Sequence, residues 1–193
     1  MKPTKKFTIF AGVNGAGKST LYNAEKDKNL GVRLNSDEIL HDLGLDWQDA
    51  NAQILAGKKL LQRQKECFGN GLSLNQETTL SGKSIVKTIQ KAKELGYEIH
   101  LRYVGVNSPE IAKQRVANRI ARGGHGVSGN TIERRFETSK ENFLEVVPLC
   151  DSVILYDNTD QMTIVAYILN GIIELTPNHA EWAITLLNEL QNT

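Results

Sequence analysis

The sequence predicts an α/β fold, a five-stranded parallel sheet with helices on both faces, extended by a C-terminal β-hairpin plus helix. Short β-branched runs alternate with longer segments of helical periodicity; a glycine-rich stretch separates the first run from the first helical pattern; and Asn170-Gly171 marks a tight turn between two apolar runs. Strands that alternate with helices pair in parallel through right-handed crossovers, which leaves a sheet needing cover on both faces.

In chain order, Lys6 to Ala11 (KFTIFA) is β-branched and aromatic and predicts the first strand, with a helix from Lys18 behind it. Val32 to Asn35 is a second short strand, and Asp46 to Gly69 carries helical spacing through Ile54, Leu55, Leu60 and Leu61. Leu72 to Thr78 reads as the third strand, Lys83 to Leu95 as a helix closed by Gly96, and Glu98 to Val106 as the fourth strand. Pro109 fits the first turn of a helix to about Arg122, where its missing N–H costs nothing. After a glycine-rich break, Ser128 or Asn130 caps a helix to about Val146, and Ser152 to Tyr156 is the fifth strand. Thr163 to Leu169 and Ile172 to Thr176 flank Asn170-Gly171, whose two turn positions need positive φ, so they pair as an antiparallel hairpin before a last helix over about Asn178 to Leu190. Trp47 and Trp182 fall on helical patterns and read as core or boundary residues.

The 193 residues carry 23 Lys+Arg against 22 Asp+Glu, a net charge of +1, and 40% are hydrophobic. That balance argues against binding through a broad basic face, which needs a cationic excess to neutralise phosphates. No repeat or linker interrupts the chain, so residues 1–193 are expected to form a single domain. Cys67 and Cys150 are too few and too far apart for a disulfide framework or a zinc site and read as buried apolar residues in a reducing compartment. The N-terminus is basic (Lys2, Lys5, Lys6), but the apolar stretch behind it runs into glycines without a cleavage signature, and no apolar run approaches the ~20 residues of a membrane span. A soluble, cytoplasmic protein is expected.

Gly12-Val13-Asn14-Gly15-Ala16-Gly17-Lys18-Ser19-Thr20 fits G-x-x-x-x-G-K-[ST], the Walker A pattern, and lies between a strand and a helix as that pattern requires. Glycines let successive backbone N–H groups converge on an anion, Lys18 adds a point charge on the β- and γ-phosphates, the Ser19 hydroxyl ligates Mg²⁺, and the helix behind points its positive end at the phosphates. The sheet is therefore expected to be of the P-loop NTPase/kinase-like kind. The place of a GTPase's Asn-Lys-x-Asp holds Asp157-Asn158-Thr159-Asp160, which does not match, and the best approach to a Walker B carboxylate, Ser152 to Asp157, falls on the last parallel strand.

A small-molecule kinase needs a base near the acceptor hydroxyl, a substrate pocket and mobile arginines that close over the phosphoryl group. Asp37, in Asn35-Ser36-Asp37-Glu38, follows the second strand, and ligands of open α/β sheets bind beyond the carboxyl ends of strands. A carboxylate there suits proton abstraction from a hydroxyl; Ser36 as cap with Asp37 and Glu38 in a first helical turn is a compatible structural role. Glu77, Thr78 and Thr79 end the third strand and suit hydrogen bonding to a polyhydroxyl acceptor. Arg115, Arg119 and Arg122 share one helix face and run into Gly123-Gly124-His125-Gly126 and then Arg134-Arg135, the composition of a phosphate-closing lid over approximately 115–135. All five arginines and Lys18 are expected to converge on one triphosphate. His125 reads as a lid residue and not a metal ligand, because no second His or Cys lies at ligand spacing.

Taken together, GVNGAGKST at 12–20, NSDEI at 35–39, ETTLSGK at 77–83, GYEIHLRYV at 96–104, RVANRIARGGHGV at 115–127 and RRFETSKENF at 134–143 resemble the zeta-toxin family of P-loop kinases, especially its short stand-alone bacterial members. The resemblance implies ATP- and Mg²⁺-dependent phosphorylation of a small hydroxyl substrate, which in family members acting as toxins is the 3′-hydroxyl of UDP-N-acetylglucosamine. By motif position it implies Lys18 as the phosphate lysine, Ser19 as the Mg²⁺ ligand, Asp37 as the catalytic base and Glu77 as the substrate-binding acid. Arg119 and Arg135 match the lid arginines, with Arg122 and Arg134 as alternates. The Gly-Gly-His lid departs from the pattern of the large toxins. Two further readings are a toxin or regulatory ATP-binding module controlled by an antitoxin-like partner, and a polynucleotide 5′-hydroxyl kinase, which the +1 balance disfavours.

Overall fold

The computed structural model of the chain describes residues 4–178 and 180–192; Lys2 of the basic N-terminal run and His179 of the expected last helix lie outside the described residues. One sheet has the strand order β2-β3-β1-β4-β5-β6-β7. Its strands are β1 (Lys6–Ala11), β2 (Val32–Leu34), β3 (Leu74–Thr78), β4 (Glu98–Gly105), β5 (Ser152–Asp157), β6 (Thr163–Leu169) and β7 (Ile172–Leu175). The first five pair in parallel, with Phe7 opposite both Leu74 and Ile99. β6 runs antiparallel to β5, and β7 antiparallel to β6. The expected hairpin thus joins the edge of the parallel sheet, and the five strands become seven in one mixed sheet.

The helices are α1 (Lys18–Glu25), α2 (Ser36–Asp42), α3 (Ala50–Gly69), α4 (Lys83–Glu94), α5 (Pro109–Ala121), α6 (Gly129–Val146) and α7 (Glu181–Gln191). Alternation along β1 decides which face each residue feeds. Phe7, Ile9 and Ala11 enter a cluster with residues of α2, α3, α4, α6 and α7, whereas Phe10 enters a second cluster with residues of α1, α5 and α6. β1 lies between β3 and β4 with both faces covered, so the loop at its carboxyl end is held by the most buried strand of the sheet.

Several boundaries follow from capping that periodicity does not reveal. α3 starts at Ala50 because the Asp49 carboxylate accepts the Asn51 N–H at 2.8 Å; Asp46 instead closes a turn by accepting the Gln48 N–H, which leaves Trp47 in that turn and outside the helix. The buried face of α3 is Ala52, Ala56, Leu60, Gln64 and Cys67, so Ile54 and Leu55 identify the helix but are exposed, and Leu61, also exposed, borders the cavity. α6 takes Ser128 as its cap, and α7 begins at Glu181. Trp182 is 8% exposed, its ring over the Gly105 backbone and its Nε1 donating to Asp157 Oδ1 at 2.8 Å. Asp157 is thereby engaged in holding α7. Cys67 and Cys150 are free and buried; burial raises both thiol pKa values, that of Cys150 to about 12. Among the described residues no helix is long and apolar enough to cross a membrane.

Candidate active site

Beyond Ala11 the chain turns through residues 12–17 into α1. Gly12 has φ 139°, and a Cβ there would lie 2.1 Å from the Val104 carbonyl oxygen, so only glycine fits. The Ala16 N–H donates to the Val13 carbonyl at 3.1 Å, and α1 begins without a side-chain cap, which leaves the N-terminal donors of the helix for an anion. Lys18 is buried and its Nζ donates to the Val13 carbonyl at 3.1 Å. Burial pulls its pKa below the ordinary value, against the opposing pull of Glu77 and Asp37. Asn14, Gly15, Gly17, Lys18, Ser19 and Thr20 line the adjoining cavity, while Gly12 and Ala16 are buried behind it and shape the loop.

The ends of β2 and β3 supply the carboxylates. Ser19 Oγ donates to Glu77 Oε1 at 2.9 Å, and Glu77 Oε2 accepts from Arg33 Nη2 at 2.7 Å and Asn35 Nδ2 at 3.1 Å. Arg33 also lies over the Tyr22 ring, 3.6 Å from its centroid. Asn35, and not Ser36, caps α2 by accepting the Asp37 N–H at 2.9 Å, which sets Asp37 in the first turn facing the phosphate loop. Asp37 Oδ2 is in ion-pair contact with His125 Nε2 from the loop between α5 and α6. Burial would raise the Asp37 pKa, but His125, Lys18 and Arg119 outweigh it and hold the carboxyl below its ordinary value.

Of the lid arginines, Arg119 and Arg135 line the cavity. Arg119 keeps Nε and Nη2 buried without a protein acceptor, and Arg135 Nη1 donates to Asn14 Oδ1 at 2.8 Å. Burial and the neighbouring Arg134 lower the Arg135 pKa, with Asp37 opposing them. The expected convergence of all five arginines does not occur. Arg115 donates from Nη1 to the Asn158 carbonyl at 2.7 Å and from Nη2 to the Thr159 carbonyl at 2.9 Å, bracing the loop after β5, while Arg122 and Arg134 are exposed and outside the cavity lining. Helical spacing placed Arg115 and Arg119 on one face, but the end of β5 lies beneath only the first of them.

The cavity has a volume of about 680 Å³, within the size range of small-molecule sites. Its wall beyond the carboxylates is uncharged and mixed: Gln64 Nε2 donates to Gln76 Oε1 at 2.8 Å, Thr79 and Ser81 hydroxyls are 2.8 Å apart, Thr78 and Thr88 add further hydroxyls, and Leu40, Trp47, Leu60 and Ile85 supply apolar surface. Between Thr79 and Ser81, buried Leu80 has φ 55° and its carbonyl accepts Asn142 Nδ2 of α6 at 2.8 Å, so a strained turn is held in place from the far side. Arg33, Asn35, His125 and Asn158, whose Nδ2 donates to the Ala16 carbonyl at 2.7 Å, were not legible as site-building residues, because their partners lie far away in sequence. Only the position of His125 between lid glycines gave a signal.

These donors fit a triphosphate with its magnesium: buried guanidinium nitrogens lacking an acceptor, an uncapped helix N-terminus, a lysine, and a hydroxyl beside a carboxylate. Among the described residues no group of three or more His, Cys, Asp or Glu could hold a metal by itself, so a divalent ion at Ser19 would draw further ligands from phosphate and water.

Fold and loop together define a P-loop protein of the kinase class. The zeta toxin family model matches residues 47–167, and an uncharacterised protein of Haemophilus influenzae is 32% identical over 131 residues, 68% of this chain and 92% of that protein. The chain belongs to the zeta toxin family. Among solved structures, the AvrRxo1-ORF1:-ORF2 structure with ATP superposes with a TM-score of 0.71 at 16% identity over 97% of this chain. This chain spans 63% of the length of that matched chain. A structure from the PezAT chromosomal toxin–antitoxin system of Streptococcus pneumoniae gives a TM-score of 0.64 at 16% identity, covering 99% of this chain and 86% of that one. At such identities the likeness is one of fold.

Proposed function

We propose that the chain is an ATP-dependent kinase, one domain over residues 1–193, that transfers the γ-phosphoryl group to a hydroxyl of a small molecule. The observation that carries this reading is the convergence of Lys18, Arg119 and Arg135 with Asp37 on one cavity that continues into an uncharged wall of mixed polar and apolar side chains. The residues of the 12–20 loop cradle the triphosphate, Ser19 ligates Mg²⁺, and the two lid arginines neutralise charge on the transferring group. Magnesium, held at Ser19, would supply further neutralisation of phosphate charge. Asp37 takes the acceptor's proton, its lowered pKa keeping it ionised at neutral pH. Thr78 and Thr79 contact the acceptor; Glu77, with both oxygens engaged, holds Ser19 and Asn35 and reaches an acceptor only by exchanging a partner.

Kinship with the zeta toxins makes the 3′-hydroxyl of UDP-N-acetylglucosamine the first acceptor to test, and the amides and hydroxyls of Gln64, Gln76, Thr78, Thr79, Ser81 and Thr88, set among apolar side chains, suit sugar hydroxyl and acetamido groups. The ATP in the AvrRxo1 structure supports ATP as donor, and the toxin–antitoxin origin of the PezAT structure supports an antitoxin-like protein as partner. Two free, buried cysteines suit a reducing cytoplasm.

Asp37→Ala is expected to reduce transfer by about 10²–10⁴-fold with ATP affinity retained, since a base acts only in the chemical step. Equal loss of ATP binding, read by calorimetry, would remove Asp37 from the role of base.

A further inference from the structure

We propose that His125 is a positioning residue for Asp37: the lid carries its imidazole onto the carboxylate and so fixes the acceptor base in orientation and charge. This rests on the kinase reading for its catalytic consequence, but the contact itself stands on geometry.

Asp37 belongs to the first turn of α2, and His125 to the connection between α5 and α6; across the mouth of the cavity, His125 Nε2 meets Asp37 Oδ2. The connection is shaped to make that contact. At the end of α5 the chain winds back, the Gly123 N–H donating to the Ile120 carbonyl and the Gly124 N–H to the Arg119 carbonyl, both at 2.9 Å. Buried Gly126 then packs so closely on α5 that a Cβ would lie 2.2 Å from Ile120 Cδ1 and 2.5 Å from Cγ1. With the flanking glycines tied to α5, the intervening side chain reaches across to α2.

The same helix end carries Arg119, whose buried Nε and Nη2 have no protein acceptor. One segment therefore brings a cation for phosphate and an imidazole for the base together. With His125 Nε2 in ion-pair contact with Oδ2, the carboxylate is left with Oδ1 for an acceptor hydroxyl. The other charged groups facing Asp37 are Lys18 of α1, Arg119 of α5, Arg135 of α6 and Glu77 of β3. Of the groups that favour its ionised form, His125 acts most strongly, ahead of Lys18 and Arg119.

The test is a carbon-13 NMR titration of the Asp37 carboxyl in wild type, H125Q and H125N, with an amide spectrum of each to verify the fold. The expected result is an upward shift of the Asp37 titration by about one unit or more in both variants. In activity, kcat should fall by about 10–100-fold, with the acid limb of kcat/KM displaced to higher pH and the KM for ATP unchanged. An Asp37 titration identical in all three proteins overturns the inference, whatever the rates do. If the titration shifts but wild type phosphorylates no acceptor, the contact stands and the kinase reading falls.

Discussion

Asp37 and the cations around it define the chemistry at the scale of single residues. Because its folded pKa lies below the ordinary 3.8, those interactions stabilise the protein above that pH and are lost as acid carries the carboxyl through its lowered folded value. The stability difference between wild type and Asp37→Asn, measured by urea unfolding, should therefore be largest near neutrality and shrink below about pH 4; a difference independent of pH would contradict it. The arginines separate by role. Arg115→Ala removes two charge-assisted hydrogen bonds to carbonyls and should cost about 1.5–3 kcal/mol in thermal unfolding. Arg119→Ala removes a guanidinium with unpartnered buried nitrogens and should leave stability within about 1 kcal/mol while lowering phosphoryl transfer by about 10²-fold or more. Equal destabilisation by the two substitutions would merge their roles. The phosphate loop and Asp37 were legible because their chemistry is local. Arg33 was not, since its partner Glu77 lies 44 residues away and only the adjacency of β2 and β3 brings them together.

At the scale of elements, the proposed acceptor wall is a strand end, a strained turn and two helices acting together. Leu80 adopts positive φ without being glycine, and Asn142 of α6 holds its carbonyl. Asn142→Ala should cost about 1–3 kcal/mol and, by freeing residues 78–81, raise the KM for the acceptor more than that for ATP. Urea unfolding with steady-state kinetics checks both; an unchanged acceptor KM would detach the turn from the acceptor site. The strands and most helices were readable from period and capping. The orientation of α3 was not, because its inward face is built partly from Ala52 and Ala56, small residues that hydrophobic weight undervalues, the second of which borders the cavity.

Over the whole molecule, one sheet sets the phosphate loop between two faces of core, and its edge is extended by β6 and β7. The hairpin was legible from Asn170-Gly171, but its docking on β5 was not, since a hairpin signal says how two strands meet and nothing about what lies beside them. Trp182 closes the structure over Gly105 and ties α7 to the end of β5. Trp182→Ala should cost about 3–5 kcal/mol in urea unfolding, chiefly through the void left by the ring, since Asp157 Oδ1 keeps the Thr159 hydroxyl as a donor. The central claim, phosphoryl transfer from ATP to an alcohol with Asp37 as base, is tested most directly by incubating γ-labelled ATP and Mg²⁺ with UDP-N-acetylglucosamine and a panel of other hydroxyl metabolites, using wild type and Asp37→Ala in parallel. The account predicts label in an alcohol acceptor with wild type and about 10²–10⁴-fold less with the variant; label in no acceptor, or equal label with both proteins, would contradict it.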